Sequence, residues 1–385
     1  MKIGIDLVNL HGLNGGVARY ATQLIASIAN IDQINECVLF INSAIADQIN
    51  ADHPKFQKIV VHSPRRKYLP SNQLYFLLRR KLRGIDLLHS PVSVSPLFCR
   101  TRTVLTVHDL AYEYFPDYYS KTAILYWRFA LRRACHKASQ VLAVSESTKR
   151  DLVRFMQVPE DKVKVVYPCV NLAHTESSPE TLAHMRNRYS LPENYVLYVG
   201  ALHPRKNLGN LVKAFSIARA NTRLRHKLVL AGSGWAIEPI LEEIARCGVQ
   251  DEVILTGEIP ESDLPLIYKG ADLLVFPSHY EGFGYPPLEA MACGTQVIVS
   301  NTSSLPEVVG DTGRLVDPAD PDDIAEKIVQ VGPVVSLGPV VLQERPEPPE
   351  LPVPLALPVP LEPPELPVPL ALPVPLEPVA AAPWL

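Results

Sequence analysis

Short apolar runs recur along the chain, and stretches with the apolar spacing of helices separate them. In residues 2–8, apolar and polar side chains alternate too little for a half-exposed strand, and the pattern suits a strand buried on both faces. Runs of the same kind follow at residues 37–41, 58–61, 87–89, 103–107, 141–144 and 163–166. Strands that alternate with helices in this way predict an α/β fold built on a parallel sheet.

The same pattern starts afresh at residue 195, after a polar stretch. Residues 195–200 and 227–235 each combine a buried strand with a glycine, and further strands follow. The polar residues 172–192 are interpreted as the connection between two domains. We therefore predict two Rossmann-like domains, residues 1–175 and residues 176–330, with the boundary near residue 175.

A third segment, residues 331–385, shows neither pattern. Residues 348–362 read PPELPVPLALPVPLE and recur identically as residues 363–377. Proline at every second or third position excludes both a helix and a central strand. We predict a disordered, polyproline-like tail, and a spacer or a docking segment is its simplest role.

Composition narrows the classes of function. The formal net charge of −3 excludes a generally basic nucleic-acid binder. The six cysteines are scattered, without a C-x2-C pair or the spacing of a metal site, which predicts reduced thiols in a cytoplasmic protein. The N-terminal residues have a strand pattern and no later run reaches membrane-spanning length, which also favours the cytoplasm.

Two glycine-rich turns each lie between a buried strand and a helix. The first contains Gly15 and Gly16, and the second lies in residues 278–294, SHYEGFGYPPLEAMACG, where Pro286 and Pro287 open a helix. Such junctions direct free backbone N–H groups and the positive end of the helix dipole at one point, which favours a phosphate ligand. The first turn is not a G-x-G-x-x-G, so it is weak evidence for a dinucleotide.

Charged residues follow the strands at the ends where doubly wound sheets place ligands. His108 and Asp109 come after residues 103–107. Arg205 and Lys206 lie just beyond the strand that begins the second domain, where two adjacent cations could neutralise a leaving diphosphate without a metal. The simpler alternatives are a structural histidine and a pair of solvated loop cations.

Two glutamates flank the second glycine turn with the spacing E-x7-E. Glu281 lies in the loop, and Glu289 is expected in the first turn of the helix. The alternative is a solvated charge and a capping glutamate. A capping box, however, needs a Ser or Thr cap with a free N–H, and neither Tyr285 nor Pro286 supplies both. The D-x-D at residues 320–322 starts a helix and is interpreted as capping, not as a metal site.

Over residues 1–330 the chain resembles retaining glycosyltransferases of family 4. The resemblance rests on the E-x7-E block, on P-R-K-N at residues 204–207 and on H-D-L at residues 108–110. It implies the GT-B fold, in which two Rossmann-like domains face each other across a cleft. The nucleotide sugar would bind mostly to the second domain and the acceptor to the first. The chain departs from the family pattern at Ala201, where an arginine is common, and in the tail, where the family has helices.

The resemblance also implies roles for individual residues. Glu281 and His108 would lie by the donor sugar, and Glu289 would hold the ribose hydroxyls. Lys206 and Arg205 would face the donor diphosphate. The nucleotide sugar would further contact Gly15, Gly16, Gly232, Ile259, Gly282, Phe283, Gly284 and Leu288. No metal cofactor is implied.

The expected reaction transfers a hexose, with retained anomeric configuration, to a saccharide or lipid-linked glycan in polysaccharide biosynthesis. The expected donor is GDP-mannose, because H-D-L, P-R-K-N and H-Y-E-G-F-G-Y-P look like bacterial polysaccharide and O-antigen mannosyltransferases. Two alternatives stay open at this point. One is a nucleotide-sugar 2-epimerase of the same architecture, and the other is a non-catalytic scaffold that binds a nucleotide sugar.

A basic segment predicts a membrane partner. Residues 65–83, RRKYLPSNQLYFLLRRKLR, hold seven basic residues and no acidic one, interleaved with leucines and aromatic residues. A basic helix of this kind favours contact with an anionic membrane surface. The alternative is a helix whose leucines pack on the sheet and whose basic end is solvated. The first interpretation places the protein peripherally on the cytoplasmic face of the membrane.

Overall fold

The computed structural model describes residues 1–330 with gaps. The gaps are residues 11, 14, 33, 50–52, 63–81, 83, 94, 97–98, 171–177, 223 and 235–236. Residues 331–385 also lie outside the described residues, so the polyproline tail stays a prediction. Of the basic segment at residues 65–83 the structure describes Leu82, which is buried among side chains of β-strands. None of the described helices is long and apolar enough to cross a membrane.

Within the described residues, the first domain is built around a seven-stranded parallel sheet. Its strands are β1 (Lys2–Leu7), β2 (Glu36–Asn42), β3 (Phe56–Val61), β4 (Leu87–Ser90), β5 (Arg102–Val107), β6 (Gln140–Ala143) and β7 (Val163–Val165). They lie in the order β3-β2-β1-β4-β5-β6-β7, with parallel neighbours throughout. The helices are α1 (Gly16–Ile31), α2 (Ala111–Tyr114), α3 (Lys121–Lys137) and α4 (Glu146–Met156).

The described part of the second domain repeats this plan with a six-stranded parallel sheet. Its strands are β8 (Tyr195–Val199), β9 (Lys227–Ala231), β10 (Val253–Gly257), β11 (Leu273–Phe276), β12 (Gln296–Ser300) and β13 (Arg314–Val316), in the order β10-β9-β8-β11-β12-β13. Its helices are α5 (Pro179–Tyr189), α6 (Leu208–Asn221), α7 (Ile237–Arg246), α8 (Leu264–Gly270), α9 (Tyr285–Ala292), α10 (Leu305–Val309) and α11 (Pro321–Gln330). The predicted α/β class with two Rossmann-like sheets is confirmed.

The apolar runs predict these strands because helices cover the central strands on both faces. All five residues of β8, at the centre of the second sheet, are buried, and Tyr195 and Tyr198 are fully buried. In the first sheet the central strand β1 buries Ile5 and Leu7 completely. The edge strand β3 is exposed at Gln57, Lys58 and Val60, so its sequence is more polar.

The predicted interdomain connection at residues 172–192 is wrong in part, because it contains helix α5. Ser178 caps this helix by accepting a hydrogen bond from the N–H of Thr181 at 3.2 Å, and Pro179 occupies the first turn. Met185 is buried in the core of the second domain. The segment is polar because most of this helix is solvated. The boundary near residue 175 falls among residues outside the described set and stays a prediction.

Both sheets reverse their strand order next to the first strand of the domain. The reversal lies between β1 and β4 in the first sheet and between β8 and β11 in the second. Loops that leave neighbouring strands in opposite directions open a crevice at the carboxyl ends of the strands, where doubly wound sheets bind ligands. The loops after β1, β8 and β11 carry the Gly15–Gly16 turn, the Arg205–Lys206 pair and Glu281. The fold therefore collects the predicted site residues at two crevices.

The turn after β11 also joins the two domains. The carbonyl of Gly282 accepts hydrogen bonds from the hydroxyls of Ser145 at 2.6 Å and Thr148 at 3.2 Å, both at the start of α4. A Cβ on Gly282 would lie 1.8 Å from the carbonyl oxygen of His108, so only glycine allows this approach of the two backbones. Ser145 also caps α4 by accepting a hydrogen bond from the N–H of Thr148 at 3.0 Å.

Two more contacts connect the domains beside this turn. The carboxylate of Glu307 accepts the backbone N–H groups of Glu146 at 2.8 Å and Ser147 at 2.9 Å, so a residue of the second domain caps a helix of the first. The hydroxyl of Tyr280 donates to Asp151 at 2.7 Å. These contacts fix the first domain against the loop that carries Glu281.

Candidate active site

The loops after β1, β5, β8 and β11 enclose a cavity of about 370 Å³ between the domains, here called the cleft cavity. Its walls include Gly15, Gly16, Arg19, His108 and Asp109 from the first domain and Arg205, Lys206, Glu281, Gly282, Phe283, Gly284 and Glu289 from the second. A neighbouring cavity of about 670 Å³, here called the outer cavity, shares Gly15 and Arg19 and includes Gly232, Glu258 and Ile259. Most of the predicted site residues therefore lie around two adjoining cavities.

Glu281 forms a buried ion cluster with the two predicted cations. One carboxylate oxygen lies 2.9 Å from Nη1 of Arg205, and the other pairs with Nζ of Lys206. Burial alone would raise the pKa of the Glu281 carboxyl, but Lys206 and Arg205 outweigh burial and lower its pKa to about 2. The carboxylate is therefore charged at neutral pH. Two cations and one anion give these three side chains a net positive charge at the wall of the cleft cavity, and the charge of the nearby Asp109 offsets part of it.

The turn that carries the cations is fixed from several sides. Lys206 is 8% exposed, and its Nζ lies 5.2 Å from the centroid of the Phe276 ring. Burial lowers the pKa of Lys206, and the charge of Glu281 opposes this effect. Asn207, at φ 62°, donates from its side-chain amide to the carbonyls of Pro277 at 3.1 Å and Pro318 at 2.6 Å. The alternative of two solvated loop cations is therefore wrong, because Lys206 is buried and Arg205 is partly buried in an ion pair.

The glycine turn around Glu281 is held by serines that the sequence did not single out. The N–H of Glu281 donates to Ser303 Oγ at 3.0 Å. Ser304 Oγ lies 3.0 Å from the carbonyl of Glu281 and 2.6 Å from that of Phe283, so it can donate to either. Both serines come from the loop after β12, and their turn-like sequence gave no signal of this contact.

Glu289 lies in the second turn of α9, not in the first, because the helix already begins at Tyr285. Its side chain is 1% exposed and accepts a hydrogen bond from the hydroxyl of Tyr268 at 2.7 Å. Arg19 of the first domain forms an ion pair with Glu289 and a second one with Glu261, at 2.7 Å. Glu289 is thus a buried carboxylate at the cavity wall and does not cap its helix.

Arg19 is a site residue that sequence reasoning missed. It lies one turn into α1, after the Gly15–Gly16 turn, and its guanidinium lies 5.7 Å from the centroid of the Tyr285 ring. It contributes to both cavities. Its position three residues after a glycine pair at the start of a helix is the signal that could have identified it.

His108 lies at the carboxyl end of β5, as predicted. Its ring is buried, and Nε2 donates to the carbonyl of Pro91 at 2.7 Å, which leaves Nδ1 as an acceptor. Burial is the largest influence on the ring and lowers its pKa, so the imidazole is neutral at neutral pH. The ring contacts Tyr20 edge-on, at 5.0 Å between centroids.

The remaining predicted residues divide between the cavities and the core. Gly232, at φ 149°, packs so closely that a Cβ would lie 1.9 Å from the carbonyl oxygen of Gly200, and it forms part of the outer cavity together with Ile259. Leu288 does not line either cavity. It packs with Val144, Phe283 and Tyr285, so its side chain supports the turn from behind.

Carboxylates and histidines do not gather into a metal site in the described part of the chain. No group of three or more His, Cys, Asp or Glu side chains is arranged there to hold an ion. Asp320 accepts the N–H of Asp322 at 2.9 Å, so the D-x-D caps α11 as predicted. In the described residues, the charges at the cleft cavity come from side chains and from the partial charges of helix ends.

Two doubly wound sheets with a cavity between them define the GT-B class of folds. The structure is similar to that of WaaG, a glycosyltransferase involved in lipopolysaccharide biosynthesis, with a TM-score of 0.66 at 17% identity, over 86% of this chain and 90% of that chain. It is also similar to Anabaena HepE in complex with UDP-glucose, with a TM-score of 0.65 at 21% identity, over 86% of this chain and 89% of that chain. These similarities establish the fold.

Sequence comparison then gives the family. A family model described as Glycosyltransferase Family 4 matches residues 14–174, and a model described as Glycosyl transferases group 1 matches residues 183–331. The chain is 32% identical over 329 residues to O-antigen chain mannosyltransferase B of Escherichia coli, over 82% of this chain and 86% of that protein. O-antigen chain mannosyltransferase RfbU of Salmonella typhimurium is 31% identical over 221 residues, which are 57% of this chain and 58% of that protein. The chain belongs to the family 4 glycosyltransferases, which confirms the resemblance and makes it an enzyme.

The ion cluster predicts how stability depends on pH. The folded pKa of Glu281, about 2, is below the ordinary value of 4.5, so its charge stabilises the fold fully above pH 4.5 and progressively less as the pH falls towards 2. We expect Glu281→Gln to lower the free energy of unfolding at pH 7 by about 3 kcal/mol. Urea titrations at pH 7, 5 and 3 should show the same difference at pH 7 and 5 and a smaller one at pH 3.

Glu242→Gln is the matched control, because Glu242 is exposed on α7. It should behave like the wild type at every pH. A difference for Glu281→Gln that stays constant from pH 7 to pH 3 would contradict the account of the cluster.

Proposed function

We propose that this glycosyltransferase moves a hexose from a nucleotide sugar to a saccharide or lipid-linked glycan, with retention of anomeric configuration, in polysaccharide biosynthesis. The observation that carries the proposal is the ion cluster of Glu281, Arg205 and Lys206 at the wall of the cleft cavity. Its net positive charge lies where both domains reach one ligand. A leaving diphosphate is the chemical group that needs such charge.

Two helix ends add to this positive charge. Helix α1 begins at Gly16 and helix α9 at Tyr285, and both residues lie at the cleft cavity. The free N–H groups at the start of α1 and the dipoles of both helices favour an anion there, whereas Pro286 and Pro287 of α9 have no N–H to donate. Together with Lys206 and Arg205 they would stabilise the charge that develops on the diphosphate when the glycosidic bond breaks, so no metal is needed in this proposal.

Glu281 suits a role beside the sugar better than that of a general base. A general base works best with a pKa near the operating pH, and the pKa of Glu281 is about 2. Its carboxylate could instead accept a hydrogen bond from a sugar hydroxyl and stabilise positive charge on the sugar ring. The proton of the accepting hydroxyl then goes to the leaving diphosphate, as the family resemblance implies.

The nucleotide would extend from the cleft cavity into the outer cavity. Glu289 is buried where the two cavities adjoin and would hold the ribose hydroxyls once Arg19 releases its carboxylate. Gly232 and Ile259 form part of the outer cavity, where backbone groups could meet the base. The relatives named mannosyltransferases support mannose as the sugar, and the sequence resemblance supports GDP as the nucleotide.

The donor can be tested separately from the chemistry. We expect GDP and GDP-mannose to raise the melting temperature more than UDP and UDP-glucose, because a ligand that binds the folded state stabilises it. Glu281→Gln should keep the stabilisation by GDP and lose turnover of GDP-mannose, with Glu242→Gln as the control. Preferential stabilisation by UDP would contradict the donor, and wild-type turnover by Glu281→Gln would contradict the role of Glu281. Formation of an epimerised nucleotide sugar would indicate the epimerase alternative.

We also propose an anionic membrane surface as a partner of the first domain. The prediction from residues 65–83 stands outside the described residues, but helix α3 has the same character. Its solvent side exposes Leu125 by 71% and Phe129 by 62%. Lys121, Arg132, Arg133 and Lys137 are exposed on the same helix, which contains no acidic residue. Such a helix combines apolar anchors with attraction to anionic lipid headgroups.

Sedimentation with vesicles tests this partner. The double variant Leu125→Ser and Phe129→Ser should lose most of the binding to phosphatidylglycerol vesicles, because the apolar anchors are removed. High salt should weaken binding by the wild type. Leu241→Ser in the second domain, where Leu241 is 45% exposed, is the control. Equal sedimentation of the wild type and the double variant, or none by either, would remove the proposal.

A further inference from the structure

Arg19 of the first domain is held between two carboxylates of the second domain. Its Nη1 pairs with Oε1 of Glu289, and its Nε and Nη2 donate to Oε1 of Glu261 at 3.2 Å and 2.7 Å. Glu289 is buried at the cleft cavity, whereas the side chain of Glu261 is 62% exposed at the outer cavity. These two ion pairs, here called the Arg19 bridge, therefore cross from one cavity to the other.

The Arg19 bridge holds the carboxylate that would bind the ribose. One oxygen of Glu289, Oε2, accepts a hydrogen bond from the hydroxyl of Tyr268 at 2.7 Å. The other oxygen, Oε1, is buried and faces Arg19, yet none of the described groups gives it a well-aligned hydrogen bond. A buried carboxylate oxygen needs hydrogen-bond donors as well as an opposite charge. Arg19 supplies the charge, and ribose hydroxyls would supply the donors that Oε1 lacks.

Arg19 also lies at the wall of the cleft cavity, where the diphosphate is expected. It follows the Gly15–Gly16 turn by one helical turn, and it shares the cavity with Lys206. A guanidinium that leaves two carboxylates is costly unless it meets another anion. Guanidinium groups bind phosphate oxygens with two parallel hydrogen bonds. A nucleotide sugar therefore brings a replacement for each partner, hydroxyls for Glu289 and phosphate for Arg19.

We propose that Arg19 is an internal ligand of the donor site, which the donor displaces. The inference rests on the proposed binding of a nucleotide sugar and assigns Arg19 a place in it. Without a donor, the guanidinium occupies the side of Glu289 that receives the ribose. With a donor, the ribose hydroxyls donate to Glu289 and the guanidinium binds the diphosphate. Water then replaces Arg19 at Glu261, because that side chain is exposed.

This exchange makes the binding of the ribose and of the diphosphate depend on each other. A nucleoside supplies hydroxyls but no phosphate, so its ribose displaces Arg19 without giving the guanidinium a new anion. Pyrophosphate supplies the anion but leaves Glu289 without a donor. A nucleoside diphosphate supplies both, so its two parts bind cooperatively. The Arg19 bridge thereby favours an intact nucleotide over either of its fragments.

The test compares guanosine with GDP on the full chain, by ligand-observed NMR for guanosine and by calorimetry for GDP. Arg19→Ala should bind guanosine about 5- to 10-fold more tightly than the wild type, because the ribose recovers a buried carboxylate and displaces no cation. The same variant should bind GDP about 10-fold less tightly, because a charge-assisted contact to phosphate is lost. Dideoxyguanosine, which lacks both ribose hydroxyls, should show no gain.

Arg128→Ala is the matched control, because Arg128 forms an ion pair with Glu113 in the first domain and is not part of the wall of either cavity. It should bind guanosine and GDP like the wild type. If melting shows that Arg19→Ala is unfolded, Arg19→Lys takes its place. Arg19→Lys keeps a charge beside Glu289 but lacks the fork that bonds both carboxylates, so guanosine and GDP should shift in the same opposite directions.

Glu261→Gln tests the exchange from its exposed side. It removes one partner of Arg19 and leaves Glu289 in place, so Arg19 is released more easily and GDP should bind about 2- to 5-fold more tightly. The gain should disappear when Arg19→Ala is combined with Glu261→Gln, because Arg19 transmits it. An equal gain with and without Arg19 would reflect only the removal of a negative charge near the phosphates, and it would overturn the proposal.

Other results would also overturn the exchange. They are a shift of guanosine and GDP in the same direction in Arg19→Ala, no shift of either, or an equal gain for dideoxyguanosine. If UDP binds the wild type and GDP does not, uridine, UDP and dideoxyuridine replace the guanine series. These titrations need no acceptor, so a failure to transfer hexose would contradict the proposed function alone. A wild type that binds neither nucleotide would contradict both.

Discussion

The buried ion cluster of Glu281, Arg205 and Lys206 is the interaction on which the rest of the site depends. A single buried charge is costly, and two adjacent buried cations repel each other, so neither half of the cluster is stable alone. In the structure, Nη1 of Arg205 lies 2.9 Å from the carboxylate of Glu281, and all three side chains lie at the wall of the cleft cavity. The remaining positive charge is available to a ligand. In the proposed function the cluster therefore serves both the stability of the cleft and the binding of an anion.

The fold explains how the cluster forms between residues so far apart in the chain. Strands β8 and β11 are neighbours at the point where strand order reverses, so the loops that follow them meet. The turn after β11 also carries Gly282, whose carbonyl accepts hydrogen bonds from the hydroxyls of Ser145 and Thr148 in the first domain. The position of Glu281 is thereby coupled to the contact between the domains. Any motion that separates the domains at this contact has to break hydrogen bonds next to the Glu281 carboxylate.

Much of this arrangement is legible in the sequence, and the reasons are local. Buried parallel strands are apolar along their length, so β1, β5 and β8 were predictable. Gly15 marks a turn with positive φ, and Gly282 marks a close approach of two backbones. Helix α5 was missed because its solvated residues resemble a linker. Arg19 and the hydroxyl of Tyr268 were missed because their partner, Glu289, lies far away in sequence. No local pattern carries such pairings.

The most direct test of the account is the stereochemistry of transfer to a small alcohol. With GDP-mannose, whose glycosidic bond is α, and methanol as the acceptor, the methyl mannoside formed keeps its configuration and can be assigned by NMR. Retention in the cleft predicts methyl α-mannoside with release of GDP, and a strong loss of product in Glu281→Gln. Methyl β-mannoside from the wild type, or no product while GDP-mannose is bound, would contradict the account.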